Sequence, residues 1–139
     1  MVSLSYSEIK IGQKAKLVHK VTEEDIQQFA ELSGDTNPVH LNEDYARSTM
    51  FKGRIAHGML TASFISTVIG TKLPGTGSIY LRQTLEFRRP VRIGDTVTAE
   101  VEVMAKNDEK QRITLATRVN NQDGELVLDG EAVTMIMRQ

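Results

Sequence analysis

A carboxylate and an imidazole five residues apart, Asp35 and His40, lie in the stretch Gly34-Asp35-Thr36-Asn37-Pro38-Val39-His40. A histidine of pKa ~6.5 and a carboxylate near ~4 can share one water, one taking a proton while the other returns one. The pairing suits acid/base chemistry on a small molecule. Gly34 starts the segment and Pro38 stiffens it, so a loop over residues 35–41 can hold both side chains toward one ligand. Two plainer readings stand beside this one. An aspartate after a helix-ending glycine often closes a turn on its own backbone, and a single histidine is more often structural than catalytic.

A second constellation is Gly53-Arg54-Ile55-Ala56-His57-Gly58-Met59, which leads into an apolar helical pattern. Unpaired N–H groups at a helix start, with the helix dipole behind them, suit a carbonyl oxygen that gains negative charge. Gly58 would let that oxygen approach closely. The competing reading has Gly58 serving tight backbone packing and His57 capping the helix. Asp35, His40 and His57 lack a compact ligand spacing such as H-E-x-x-H, so no metal is expected. The glycine-bearing run over residues 70–77 has neither the preceding strand nor the Gly-Lys-Ser/Thr ending of a phosphate loop, and reads as a turn. Arg54, Lys72, Arg88 and Arg89 are candidates for phosphate contact, although exposed basic residues are the norm on any surface.

These residues need elements to position them. Thr22 can cap a helix with Glu23, Glu24 and Asp25 in its first turn and Ile26, Phe29, Ala30 and Leu32 on its apolar face, ended by Gly34. Asn42 can cap a short helix through Tyr45 and Ala46. From His57 to about Leu73 the pattern is apolar nearly all round, which predicts a buried helix. Alternation then takes over: Ile79, Leu81, Leu85 and Phe87 against Tyr80, Arg82, Thr84 and Glu86, then strands over 97–103 and 113–119. A last strand from Leu126 to Met137 changes phase near Asp129-Gly130, which predicts a bulge there. Lys14–Lys20 is a plausible further strand. A sheet curling around the buried helix covers more of it than a flat one, which makes the fold α+β, helix in sheet.

Length and composition bound the rest. A chain of 139 residues, 40% hydrophobic and 25% charged, fits one domain over 1–139. Lys+Arg 17 against Asp+Glu 18 leaves a net charge of -1, with no basic stripe for nucleic acid. The absence of cysteine excludes disulfides, thiolate metal sites and a cysteine nucleophile. With no basic-then-apolar start and no membrane-length apolar run, the expectation is a soluble cytoplasmic protein that contacts no membrane.

Gly34 through His40, then His57-Gly58-Met59-Leu60, Gly77-Ser78-Ile79-Tyr80-Leu81 and Phe87-Arg88-Arg89-Pro90-Val91, closely resemble the MaoC-like (R)-specific enoyl-CoA hydratases over nearly the whole chain. The resemblance implies a hot-dog fold, a curved antiparallel sheet wrapped around a long central helix. It implies that Asp35 and His40 hold the water added across the double bond of a trans-2-enoyl-CoA, giving an (R)-3-hydroxyacyl-CoA. It further implies that the Gly58 N–H binds the thioester carbonyl and that Asn37 helps fix the loop. On the central helix it assigns Ser66 to supporting the Asp35 loop and Ile69 to lining the acyl pocket. No cofactor is expected beyond the coenzyme A carried by the substrate. A homodimer is expected, in polyester-precursor supply or fatty-acid breakdown. The alternatives are a hot-dog acyl-CoA thioesterase, with Asp35 activating water against the carbonyl, and a noncatalytic acyl-binding module.

Overall fold

The computed structural model describes residues 2–137. After a single helical turn at Tyr6–Glu8, strand β1 (Lys14–Lys20) leads into helix α1 (Glu23–Ser33). Two short helices follow, α2 (Pro38–Leu41) and α3 (Glu43–Arg47), then the long helix α4 (Gly58–Thr71). The remaining strands are β2 (Ser78–Gln83), β3 (Glu86–Phe87), β4 (Thr96–Asn107), β5 (Arg112–Asn120) and β6 (Leu126–Ile136). They form one six-stranded sheet in the order β1-β4-β5-β6-β2, with β3 also paired to β6. Every pairing is antiparallel.

Alternation in β4 and β5 sends Val97, Ala99, Val101 and Val103, and Ile113, Leu115 and Val119, into the core. There they meet Leu60, Ile65, Val68 and Ile69 of α4. Each buried Val, Leu or Ile contributes roughly 1.5–3 kcal/mol relative to an exposed one, so this face is what holds α4 in place. The expected helix-in-sheet arrangement is present, with α4 starting one residue later than His57 and ending at Thr71.

Several local readings change. The segment over 79–87 is two short strands separated at Thr84 and Leu85, and within the first the pairing with β6 slips between Tyr80 and Arg82, where Leu81 is exposed. Asp129 and Gly130 pair regularly with Arg118 and Thr117, so no bulge lies there. The irregularity falls instead where Val119 faces Leu128 and Asn120 faces Leu126, with Val127 between. Gly130 looked like a change of phase because its place in the pattern has no side chain: a Cβ there would lie 1.8 Å from the Thr84 carbonyl oxygen. Leu32 is 89% exposed and leaves the apolar face of α1 to Ile26, Phe29 and Ala30. On α4, Met59, Ser63, Ser66 and Thr67 form an uncovered strip, so the sheet does not enclose the whole helix. Among the described residues, no helix is long and apolar enough to cross a membrane.

Candidate active site

Helix α1 delivers the chain to the site. Thr22 caps it, its side chain accepting from the Asp25 N–H while the Asp25 carboxylate accepts from the Thr22 N–H. At the other end Gly34 takes φ 78°, and its N–H donates to the Ala30 carbonyl. That left-handed residue turns the chain out of the helix at no Cβ cost. Asp35 follows at once. The predicted loop then tightens into α2, because Asn37 accepts from the Val39 N–H and Pro38 occupies the first turn. One helical turn carries His40 inward, to 8% exposure.

Two hydrogen bonds and a ring stack fix His40. Its Nδ1–H donates to the Ile55 carbonyl at 2.8 Å, its own carbonyl accepts from Arg54 Nε at 2.7 Å, and its ring stacks on His57 at 3.9 Å. With Nδ1 committed as donor, a neutral His40 presents Nε2 as a lone-pair acceptor. Burial drives its pKa down, the Ile55 carbonyl opposes this, the nearby His57 adds to the lowering, and Asp35 opposes it. Burial prevails. His40 is therefore neutral at pH 7 and able to accept a proton.

Asp35 has a different setting. It is exposed, its N–H bonds Ser33 Oγ at 3.1 Å, and its Oδ1 accepts from the Asn37 N–H at 3.3 Å. The turn-closing reading is therefore realised, yet it occupies one carboxylate oxygen weakly. The Asp35 carbonyl accepts from His57 Nε2–H at 3.0 Å. A carboxylate oxygen of Asp35 and one nitrogen each of His40 and His57 lie within 4.8 Å of one another. Among the described residues no hydrogen bond joins Asp35 to His40. A water donating to two acceptors at ~2.8 Å separates them by about 4.5 Å, a spacing that the 4.8 Å bound on these atoms accommodates.

His40 also lines a cavity of about 310 Å³ with Phe51, Ala56, Gly58, Thr61 and Phe87. Gly58 opens α4, so its N–H is among the first four that no carbonyl within the helix can reach. The requirement for glycine comes from packing: a Cβ would fall 2.7 and 2.8 Å from two carbons of the Phe87 ring. Arg88 and Arg89 stand at this cavity, but Arg88 is paired with Asp129 and Glu86, and Arg89 with Glu125. Arg54, whose side chain is 10% exposed, pairs with Glu23 beneath His40, and Lys72 donates to the Lys16 carbonyl. Neither lines the cavity.

Asp35, His40, Asn37 and Gly58 are thus gathered into one region. Ser66 and Ile69 are not. Eight residues of helix carry Ser66 roughly 12 Å along the axis from Gly58, and it is exposed there with no bond to Asp35. Ile69 is buried in the core and does not line this cavity. Sequence reasoning missed the part played by Arg54, by the Phe87 ring and by His57, whose side chain makes no cap bond to α4. The spacing of Arg54 and His57 around the Ile55 carbonyl was visible, but the partner segment was not.

Fold and site together define a hot-dog domain with an Asp/His pair set beside the N-terminus of its central helix. The model of the MaoC like domain matches residues 7–124. The chain is 54% identical over 131 residues to the (R)-specific enoyl-CoA hydratase of Rhodospirillum rubrum, covering 94% of this chain and 90% of that one. The unliganded R-hydratase of Pseudomonas aeruginosa aligns with a TM-score of 0.92 at 51% identity, over 99% of this chain and 88% of that one. The (R)-hydratase of Aeromonas caviae involved in PHA biosynthesis aligns at 0.90 and 47%, over 93% and 98%. The chain belongs to the MaoC-like family.

Proposed function

We propose that this chain is an (R)-specific enoyl-CoA hydratase, a hydro-lyase that reversibly adds water to a trans-2-enoyl-CoA. The observation that carries this reading is the open Asp35–His40 pair, two acceptors within 4.8 Å and unbonded to each other, beside a cavity that Gly58 lines. A water donating one O–H to each acceptor leaves its lone pair aimed at carbon. As the oxygen bonds to C3, charge moves to the thioester oxygen, where the Gly58 N–H contributes more in the transition state than in the ground state. One proton leaves the water as the C3–O bond forms, and one proton is delivered to C2. Atoms balance without a cofactor or a metal. Asn37 serves by capping α2.

Hydratase activity is also the stated activity of the relatives from Rhodospirillum rubrum and Aeromonas caviae, which favours hydration over thioester hydrolysis. A homodimer fits the uncovered strip on α4 and the edge position of β2, whose Tyr80 and Leu81 are 38% and 43% exposed. In that assembly the exposed Ser66 would act on the Asp35 loop. A cytoplasmic setting and supply of (R)-3-hydroxyacyl-CoA for polyester synthesis complete the proposal. The test is to mix the protein with crotonyl-CoA and follow enoyl absorbance, free thiol and product chirality. Loss of absorbance without thiol, giving the (R)-alcohol, is expected; thiol release or an (S)-product would overturn it.

A further inference from the structure

His57 is 1% exposed and occupies the N-cap position of α4 without capping it. Small polar residues are strongly preferred there because their side chains satisfy the first N–H groups of the helix. The imidazole is spent elsewhere. Its Nε2 meets the Asp35 carbonyl at 3.0 Å, and its ring lies 3.9 Å from His40 and 4.8 Å from Phe29. Its Nδ1 has no hydrogen-bond partner among the described residues. A carbonyl only accepts, so Nε2 carries the proton. A proton on Nδ1 would be a buried donor without an acceptor, costing about 1–3 kcal/mol, so the geometry favours the Nε2–H tautomer.

We infer that His57 is the positioning residue of the Asp35–His40 pair: its Nε2–H fixes the Asp35 backbone while its ring face sets the plane of the His40 imidazole. One buried side chain thereby sets the gap in which the attacking water sits. Neither job involves a substrate atom, and the inference rests on the acid/base reading of Asp35 and His40. The titratable and charged groups around the ring are the Asp35 carboxylate, the His40 imidazole and, beyond His40, the Arg54 guanidinium on the His40 carbonyl. Phe29 on α1 and the Ile55 carbonyl add no charge. After burial, the nearness of His57 is part of what holds His40 below its ordinary value.

Two substitutions divide the roles. His57→Phe keeps an aromatic face and loses the donor, whereas His57→Gln keeps a donor near the Nε2 position and loses the ring. With crotonyl-CoA each is expected to lower kcat by about 10- to 100-fold, the scale of a misplacement of ~1 Å, with KM changed by less than about threefold. The acid limb of kcat/KM should move to higher pH in both, because His40 loses the lowering that His57 contributes. A merely structural His57 would lower the melting temperature and leave kcat per folded molecule and the acid limb where they were, and that result overturns the inference. A third measurement needs neither a variant nor turnover. Nitrogen NMR of the wild-type imidazoles should show His57 protonated on Nε2 and bare on Nδ1 between pH 7 and 8, with His40 protonated on Nδ1. The opposite tautomer of His57 overturns the inference even in a protein that folds and turns over. A wild type that does not hydrate crotonyl-CoA defeats the proposed function instead, and the nitrogen spectrum still decides the placement of His57.

Discussion

The His19–Asp25 and Asp35–His40 pairs are built in opposite ways. His19 Nε2 meets Asp25 Oδ2 at 2.8 Å, and the same carboxylate oxygen accepts from the Thr22 N–H at 3.0 Å. Although burial works against it, the Thr22 N–H and His19 together hold Asp25 below the ordinary carboxylate range. That pair is closed, with its acceptor capacity spent on capping α1 and on a ring that packs 4.5 Å from Phe64. Asp35 and His40 are open: each is tied down by its backbone or its far nitrogen, and the facing atoms are left for something else. Residue type is the same in both. What separates a structural pair from a reactive one here is whether the facing acceptors are already satisfied.

The comparison breaks most visibly at the open pair. Asp35→Asn and His40→Gln are each expected to lower kcat by about 10²- to 10⁴-fold, the usual contribution of a positioned acid or base, with little change in melting temperature. Steady-state hydration of crotonyl-CoA beside a thermal melt checks this. A smaller loss is expected at the carbonyl side. In Gly58→Ala the new methyl displaces the Phe87 ring from the start of α4. A fall in kcat/KM of about tenfold is expected, in line with sub-ångström misplacement. Combining it with Phe87→Leu should recover part of the loss, and a double variant no better than the single one would remove packing as the cause.

Smaller again is the pH effect. Burial lowers the His40 pKa, so the neutral, accepting form persists further into acid than for an ordinary histidine. Activity should be full at pH 7 and should fall as pH drops through that lowered value, with the midpoint of the acid limb of kcat/KM below ~6.5. A midpoint above that value would contradict the stated balance of burial against the Ile55 carbonyl and Asp35. The smallest effect on turnover belongs to the closed pair. Asp25→Ala removes a capping partner of α1 and the bond to His19, which should cost about 1 kcal/mol of stability. For a domain of this size that is a fall of about 3–5 °C in melting temperature, with kcat within about twofold. A large loss of kcat there would show that the two pairs are not so different.

Much of the open pair was legible because its causes are local. Thr22, Gly34, Asn37 and Pro38 act on backbone within a few residues of themselves, so the end of α1 and the exit of Asp35 could be read along the chain. The strict alternation in β4 and β5 was legible for the same reason. Illegible were the features decided by distant segments. Leu81 is exposed where β2 slips against β6, and Gly130 is explained by the Thr84 carbonyl. Gly58 was read for its approach to a ligand, and the structure adds Phe87 as the reason a side chain does not fit. One of the two readings gave His57 the local role of a cap, while its contacts run to residues at least 17 positions away. Ser66 and Ile69 were assigned by resemblance, and one copy of the chain does not bring them to Asp35.

The central claim is that the open pair aims water at C3. It is tested most directly by incubating the wild-type protein with crotonyl-CoA in ¹⁸O-enriched water and locating the label by mass spectrometry. One ¹⁸O on C3 of an intact (R)-3-hydroxybutyryl-CoA is the expected result. Label in a released carboxylate, with coenzyme A set free, would contradict it.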